Sequence, residues 1–114
     1  MSKVLQNAMP QSIREAMRRL RTECPTVWKV KVRRRPDMLQ GYFAVTYFIQ
    51  PQKGDPYFSI ILHPSLETQF AIFILIHEYA HALAWTTEHP NLEDHGPLFG
   101  VAWAKAYQCA ANVT

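Results

Sequence analysis

Residues 74–85, ILIHEYAHALAW, place two histidines and a glutamate in the middle of an otherwise apolar stretch. Burying a polar side chain without a partner costs roughly 2–7 kcal/mol. Any fold that buries this stretch must therefore compensate His77, Glu78 and His81. The compensation is a metal ion, a network of hydrogen bonds from the histidines to backbone carbonyls in a closed core, or exposure of one face.

The spacing of the two histidines favours a metal ion. His77 and His81 are four residues apart, so on a helix they lie about 40° apart around the axis and project from one face. Two imidazole nitrogens placed in this way can bind one zinc ion at about 2.0–2.1 Å each. Glu78 lies beside that face, where it would act as general base on a zinc-bound water. The HExxH pattern therefore predicts one Zn²⁺ ion and a catalytic role for Glu78.

A catalytic zinc usually has three protein ligands, so a third must follow the helix. The pattern with glycine three and histidine six residues after the second histidine does not occur, because those positions are Ala84 and Thr87. The polar loop beyond them offers four candidates: Glu88, His89, Glu93 and His95. His95 is the best placed, since Gly96 permits a close backbone approach and Pro97 suits the first position of the next helix.

Hydrophobic periodicity and turn residues predict the order of elements. Ser12 and Glu15 have the form of a capping box that begins a first helix ending near Cys24. Strands are expected over 28–33, 41–49 and 57–62, from alternation and from aromatic and β-branched content. A second helix over 66–85, capped by Ser65, and a third over 97–110 complete the order α-β-β-β-α-α. Residues 1–114 are thus expected to form one α+β domain, with the helices packed on one face of a small sheet.

The third predicted helix carries a regular aromatic row. Phe99, Trp103 and Tyr107 recur every four residues, which is typical of a helix face turned to the core. With Trp85, they are expected to pack the second and third helices together. The residue that stabilises an oxyanion is not fixed by the pattern, and Tyr79, His89 and Tyr107 stay open for it.

The net charge of +3 conceals a strong asymmetry along the chain. Residues 1–35 hold ten of the twelve basic residues and two acids. Six arginines stand out, three at helical spacing on the first helix and three in a run: Arg14, Arg18, Arg21, Arg33, Arg34 and Arg35. They are either a phosphate-binding surface for a partner such as DNA or a solvated face, and both interpretations stay open.

Hydrophobic runs and cysteine content indicate where the protein is located. The longest apolar run, residues 70–76, is too short to cross a bilayer, and no targeting segment is visible, so a cytoplasmic protein without a membrane partner is expected. Cys24 and Cys109 are too few for a disulfide framework, which favours a reducing compartment, although a single bridge between them stays open.

His77 to His81, followed by His95-Gly96-Pro97-Leu98-Phe99, resembles the SprT-like (Spartan-type) zinc metalloprotease domain. The stretch 57–66, YFSIILHPSL, is similar to that family's approach to the active-site helix. The resemblance implies a zincin-like core in which His77, His81 and His95 bind zinc and Glu78 is the catalytic base. Many relatives carry a cysteine-rich zinc ribbon that this sequence lacks, which implies a minimal, core-only member of the kind expected in bacteria or phages.

The expected function is a zinc metallopeptidase that acts on protein or peptide substrates, including DNA-associated proteins. An extended peptide would add to an edge strand beside the cleft. Two other functions stay open: a non-catalytic zinc-binding module that contacts nucleic acid or protein, and a zinc hydrolase that acts on a non-peptide amide.

Overall fold

A mixed three-stranded sheet supports the rest of the molecule. The computed structural model of the chain describes residues 9–39 and 41–111. Within these residues, β1 (Lys29–Arg34), β2 (Ala44–Ile49) and β3 (Tyr57–Leu62) lie in the order β1-β3-β2. β3 is parallel to β1 and antiparallel to β2. The central strand is the most apolar, YFSIIL, and five of its six residues are buried.

Three helices complete an α+β fold: α1 (Gln11–Glu23), α2 (Thr68–Ala84) and α3 (Pro97–Ala110). α2 packs on β2 and β3, while α1 and α3 pack against α2 and against each other. A short 3-10 helix, Pro36–Met38, follows β1. The predicted α+β class and the order α-β-β-β-α-α are therefore confirmed for the described residues, and the HExxH helix lies on the sheet.

One face of the sheet forms the core with the helices. Val30, Phe58 and Ile60 point to this side and join a cluster with residues of all three helices. Lys29 and Lys31 point away and are exposed. The alternation predicted for residues 28–33 is thus confirmed, because a strand directs successive side chains to opposite faces.

Three aromatic side chains close the end of the core where α2 ends. Trp85 stacks on Phe48 with ring centroids 5.0 Å apart and meets Phe58 edge-on at 5.6 Å. Such pairs contribute about 0.5–1.5 kcal/mol beyond their buried area. The prediction that Trp85 packs between the second and third helices is wrong: the chain is extended at Trp85, which turns the indole onto the sheet.

The predicted capping box of α1 is also wrong. The helix begins at Gln11 after Pro10, and Ser12 lies inside its first turn. The Glu15 carboxylate does not reach back to Ser12. It accepts from Arg18 at 2.6 Å instead, because a cation one turn later on the same face competes for it.

The start of α2 and the start of the second strand both differ from the prediction. Glu67, rather than Ser65, caps α2, since its carboxylate accepts from the backbone N–H groups of Gln69 and Phe70 at 2.9 and 3.0 Å. The Ser65 N–H donates instead to His63 Nδ1 at 3.1 Å, within a turn.

The second strand starts at Ala44 rather than at residue 41, since Gly41 has a φ of 92° that suits a turn and not a strand.

A buried tyrosine ties α2 to the end of α1. Tyr79 is fully buried, and its hydroxyl donates to the carbonyl oxygens of Leu20 and Cys24, at 3.2 and 2.7 Å. Burial raises the pKa of Tyr79 to about 12, so the group stays a neutral donor. Tyr79 is therefore a structural anchor, and it is not available to stabilise an oxyanion.

Replacing Tyr79 by Phe should destabilise the fold by about 1–2 kcal/mol, because the Cys24 carbonyl loses a buried donor. Urea unfolding of the chelator-treated protein measures this loss free of any contribution from bound metal. Tyr107→Phe is the matched control: Tyr107 is 46% exposed, and its change should stay within about 0.5 kcal/mol. Equal stability of Tyr79→Phe and the parent protein would contradict the assignment.

Candidate metal centre

Two imidazoles meet on one face of α2, where His81 is buried and His77 is half-buried. His77 and His81 project from the same face, and their Nε2 atoms are 3.3 Å apart. Two nitrogens bound tetrahedrally at about 2.0–2.1 Å from one ion would be about 3.3–3.4 Å apart. The separation set by the helix is therefore the separation that a tetrahedral ion requires.

His95 completes a group of three. The ligating nitrogens of His77, His81 and His95 all lie within 4.8 Å of one another. The ring centroid of His95 is 4.7 Å from that of His81 and 5.4 Å from that of His77. The structure thus brings together the three histidines expected from the sequence, and they could bind a metal ion.

A short loop motif fixes the position of His95. Asp94 accepts a hydrogen bond from the Gly96 backbone N–H at 2.8 Å, and α3 begins at Pro97 immediately afterwards. A Cβ on Gly96 would lie 3.1 Å from Asp94 Oδ1. Gly96 therefore permits a close approach, as expected, but to the Asp94 carboxylate. The Asp94 carboxylate therefore holds the backbone next to His95.

An aromatic wall from α3 supports the histidine rings. Phe99 stacks on His81, with centroids 4.4 Å apart, and Trp103 meets His77 edge-on at 5.4 Å. Trp103 also contacts Phe73 of α2 at 5.3 Å. This wall limits the freedom of both imidazoles, so their nitrogens are held in position before an ion binds.

The prediction that the whole aromatic row faces the core is wrong in part. The buried face of α3 is formed by Ala102, Ala106 and Ala110, whereas Tyr107 is 46% exposed. Small side chains let α3 approach α1 and α2 closely, which displaces the bulky row to the adjoining face. Phe99 and Trp103 still contact α2, but they do so at the metal centre.

Burial keeps the imidazoles in the form that binds metals. Desolvation, followed by His77 and His95, lowers the pKa of His81 to about 4. Desolvation, followed by His95, also lowers the pKa of His77. Both rings are therefore neutral at pH 7, and neutral imidazole is the form that ligates. The donor set fits a borderline-soft divalent ion.

Glu78 lies next to these ligands in a desolvated position. It is 8% exposed, and burial raises the pKa of its carboxyl to about 7, against a smaller opposite effect of the nearby Thr46 side chain. A carboxyl with such a pKa can both take and release a proton near neutrality. The Thr46 hydroxyl donates to the Glu78 backbone oxygen at 3.2 Å, which ties β2 to α2 at this residue.

A cleft of about 860 Å³ includes the metal centre in its lining. One wall is β2, whose outer edge has no neighbouring strand among the described residues. The opposite wall is α2 with the loop before α3, and the three histidines and Glu78 lie on this side. Apolar side chains line most of the rest: Leu39, Tyr42, Phe43, Val45, Ile74 and Leu92.

Sequence reasoning missed the contribution of β2 to this cleft. Thr46 is the one detectable signal, because it is a polar residue at a helix-facing position of an otherwise apolar and aromatic strand. Tyr42 and Phe43 were assigned to the strand itself, yet they lie before it and are 66% and 62% exposed.

The remaining ligand candidates do not join the metal centre. Glu88, His89 and Glu93 are exposed in the loop, and the described metal-binding group does not include them. Glu93 does line the cleft. His63 accepts from the Ser65 N–H within a turn.

The six arginines do not line the cleft, and each has a partner elsewhere in the structure. On α1, Arg14 bonds Gln11, Arg18 pairs with Glu15, and Arg21 donates to the Val30 carbonyl at 2.8 Å. These contacts fit the interpretation of a solvated basic face for α1.

The second group of arginines is equally occupied. Arg33 reaches Ser59 at 3.5 Å, Arg34 donates to the Pro64 carbonyl, and Arg35 pairs with Asp37 at 2.9 Å. A nucleic-acid partner remains a prediction that these contacts neither require nor test.

Comparisons of the chain with protein-family models, curated proteins and solved structures found no match. Across the described residues, none of the helices has the length and apolar content needed to cross a bilayer. The site must therefore be interpreted from its own geometry.

The protein should bind one zinc ion, and His81→Ala should weaken binding by about a hundredfold or more. If about 10–16 kcal/mol of zinc affinity is shared among four ligands, each accounts for about 2.5–4 kcal/mol. Competition titration with a chromophoric chelator measures the affinity. His63→Ala, which removes a histidine from a turn, is the control and should bind zinc as the parent does. Equal losses in both variants would contradict the assignment.

Proposed function

We propose that the protein is a zinc-dependent metallopeptidase of the SprT-like type. The observation that carries the proposal is the placement of three histidine nitrogens and one buried carboxylate on the wall of a cleft opposite a free strand edge. A metallopeptidase needs these parts together: an ion held by three ligands, a base beside it, and a surface that aligns the peptide.

His77, His81 and His95 would hold the ion, and zinc suits this donor set because imidazole nitrogens are among its usual ligands in catalytic sites. When bound, it would act as a Lewis acid on a water molecule and on the scissile carbonyl. His77 and His81 present their nitrogens at the required separation, and Phe99 and Trp103 keep the rings from turning. These residues act by holding the ion in place.

Glu78 would move the protons. Its carboxylate takes a proton from the attacking water and passes it to the leaving amine as the peptide bond breaks. Burial supports both roles, because a pKa of about 7 leaves the carboxyl divided between its two forms at neutral pH. Thr46 restrains the backbone at Glu78 and thus sets the carboxylate relative to the strand that would align the substrate.

The free edge of β2 supports an extended polypeptide as the substrate. A bound segment would pair with β2 through main-chain hydrogen bonds, while its side chains alternate between the cleft and solvent. The exposed Tyr42 and Phe43 at the rim favour an open groove over the deep enclosed pocket expected of an enzyme for a small amide. DNA-associated proteins as natural substrates, and a cytoplasmic location, remain predictions.

The alternative is a non-catalytic zinc-binding module. A purely structural zinc site is closed by four protein ligands. Three ligand residues are found together among the described residues, and they lie on a cleft wall. The buried Glu78 beside them also has a raised pKa, which a structural site does not require. These observations favour catalysis.

Glu78→Gln should lower peptidase activity by about 10²–10⁴-fold while zinc binding is retained, since the amide cannot take a proton. Cleavage of a fluorescently labelled unfolded protein, with and without single-stranded DNA, measures activity, and metal analysis measures zinc. Glu93→Gln is the matched control, because it removes an acid from the same cleft without removing the base.

Two results would contradict this proposal. The first is full activity of Glu78→Gln. The second is the absence of cleavage by the zinc-loaded parent protein under every DNA condition, which would support the non-catalytic module.

A further inference from the structure

Two cysteines far apart in the sequence meet at the ends of α1 and α3. Cys24 directly follows α1, where its N–H bonds the Leu20 carbonyl at 2.8 Å, and Cys109 lies in the last turn of α3. Their Sγ atoms are 2.7 Å apart, although the residues are 85 positions apart in the sequence. Both are free thiols. The packing of α1 against α3 thus places the two sulfurs in contact.

The two thiols differ in access. Cys24 is fully buried, whereas Cys109 is half-buried and lines a surface cavity of about 430 Å³. Arg18 and Arg19 line the same cavity, beside Glu23. A small reagent from solvent therefore reaches Cys109 first.

We propose that Cys24 and Cys109 form a reversible disulfide, with Cys109 as the reacting thiol, Cys24 as the resolving thiol, and a glutathione-type disulfide as the oxidant. The Cys109 thiolate attacks one sulfur of the oxidant and releases one thiolate of the reagent, which leaves a mixed disulfide. Cys24 then loses its proton and attacks Cys109 Sγ, which displaces the second thiolate. The two protein thiols are oxidised, and the reagent is reduced to two thiols.

The surroundings of Cys24 support this order of events. Burial, followed by a hydrogen bond with Cys109, raises the pKa of the Cys24 thiol to about 12. Cys24 therefore has little thiolate with which to attack a reagent in solvent. The contact between Cys24 and Cys109 compensates for this small thiolate fraction, because an attack within the molecule does not require a second molecule to diffuse in.

The bond would join the ends of two helices without reaching the metal centre. Cys109 lies twelve residues beyond Pro97, the first residue of α3, which is about 18 Å along the helix axis from the end next to His95. Closing so long a loop restricts the unfolded chain, so the oxidised protein should resist denaturation more than the reduced one. The inference does not rest on the proposed function, since the pair lies outside the cleft.

The test treats the folded, zinc-loaded protein with oxidised glutathione. Thiols are then titrated in denaturant, and the intact mass is measured. We expect both thiols to disappear with the loss of two hydrogens and no glutathione retained, a higher guanidinium midpoint, unchanged zinc content, and recovery of both thiols with reductant.

Two variants separate the roles of the cysteines. Cys24→Ala should stop at the mixed disulfide and keep one glutathione on Cys109. Cys109→Ser should keep its single thiol free under the same treatment. If Cys24→Ala fails to fold, the thiol count and the intact mass of the treated parent protein still show whether the internal disulfide forms.

Three results would overturn the proposal: two free thiols in the treated parent protein, a stable glutathione adduct on it, or a disulfide between two chains in place of the internal one. Each leaves the zinc and peptidase measurements unaffected, so this inference can fail while the proposed function stands.

Discussion

The desolvation of three polar side chains on α2 is the constraint on which the rest of the structure depends. α2 must lie on the sheet to bury Leu75, Ile76 and Tyr79, and this placement also removes Glu78 and His81 from water. Desolvation of a charged side chain is unfavourable. It therefore lowers the pKa of His81 and raises the pKa of Glu78, because each shift favours the neutral form. A divalent cation at the histidine nitrogens would offset it. The packing of α2 on the sheet therefore forms both the core and the metal centre.

α3 and β2 contact the polar residues of α2 from opposite sides. α3 presents a face of alanines to α1 and α2, so it can approach closely enough for Phe99 and Trp103 to reach the imidazoles. β2 contributes Thr46 from the opposite side, and its outer edge has no neighbouring strand in the described part of the chain. The ligands are thus supported by packing, and the cleft stays open on the side where a polypeptide would bind.

Local patterns predicted much of this arrangement, because the information lies within a few residues. The four-residue spacing of His77 and His81 fixes their geometry on any helix, and Pro97 fixes the start of α3. The third strand, Tyr57–Leu62, has the predicted bounds because its apolar run ends in a turn at both sides. His95 was identified because a glycine and a proline follow it.

Features that depend on contacts between distant residues could not be predicted. The order β1-β3-β2 inserts the last strand between the first two, which no local pattern encodes. Glu15 and Ser65 have more than one partner within reach, and the arginine and the histidine nearby decided their roles. The same holds for the place of Thr46 in the cleft and for the contact of Cys24 with Cys109.

X-ray absorption at the zinc edge of the zinc-loaded protein tests the central claim most directly. The account predicts one zinc ion with three imidazole nitrogens and one oxygen ligand at about 2.0–2.1 Å. The outer-shell scattering typical of imidazole should decrease by one ring in His95→Ala. A spectrum dominated by sulfur or by six oxygens, or a protein that retains no zinc, would contradict the account.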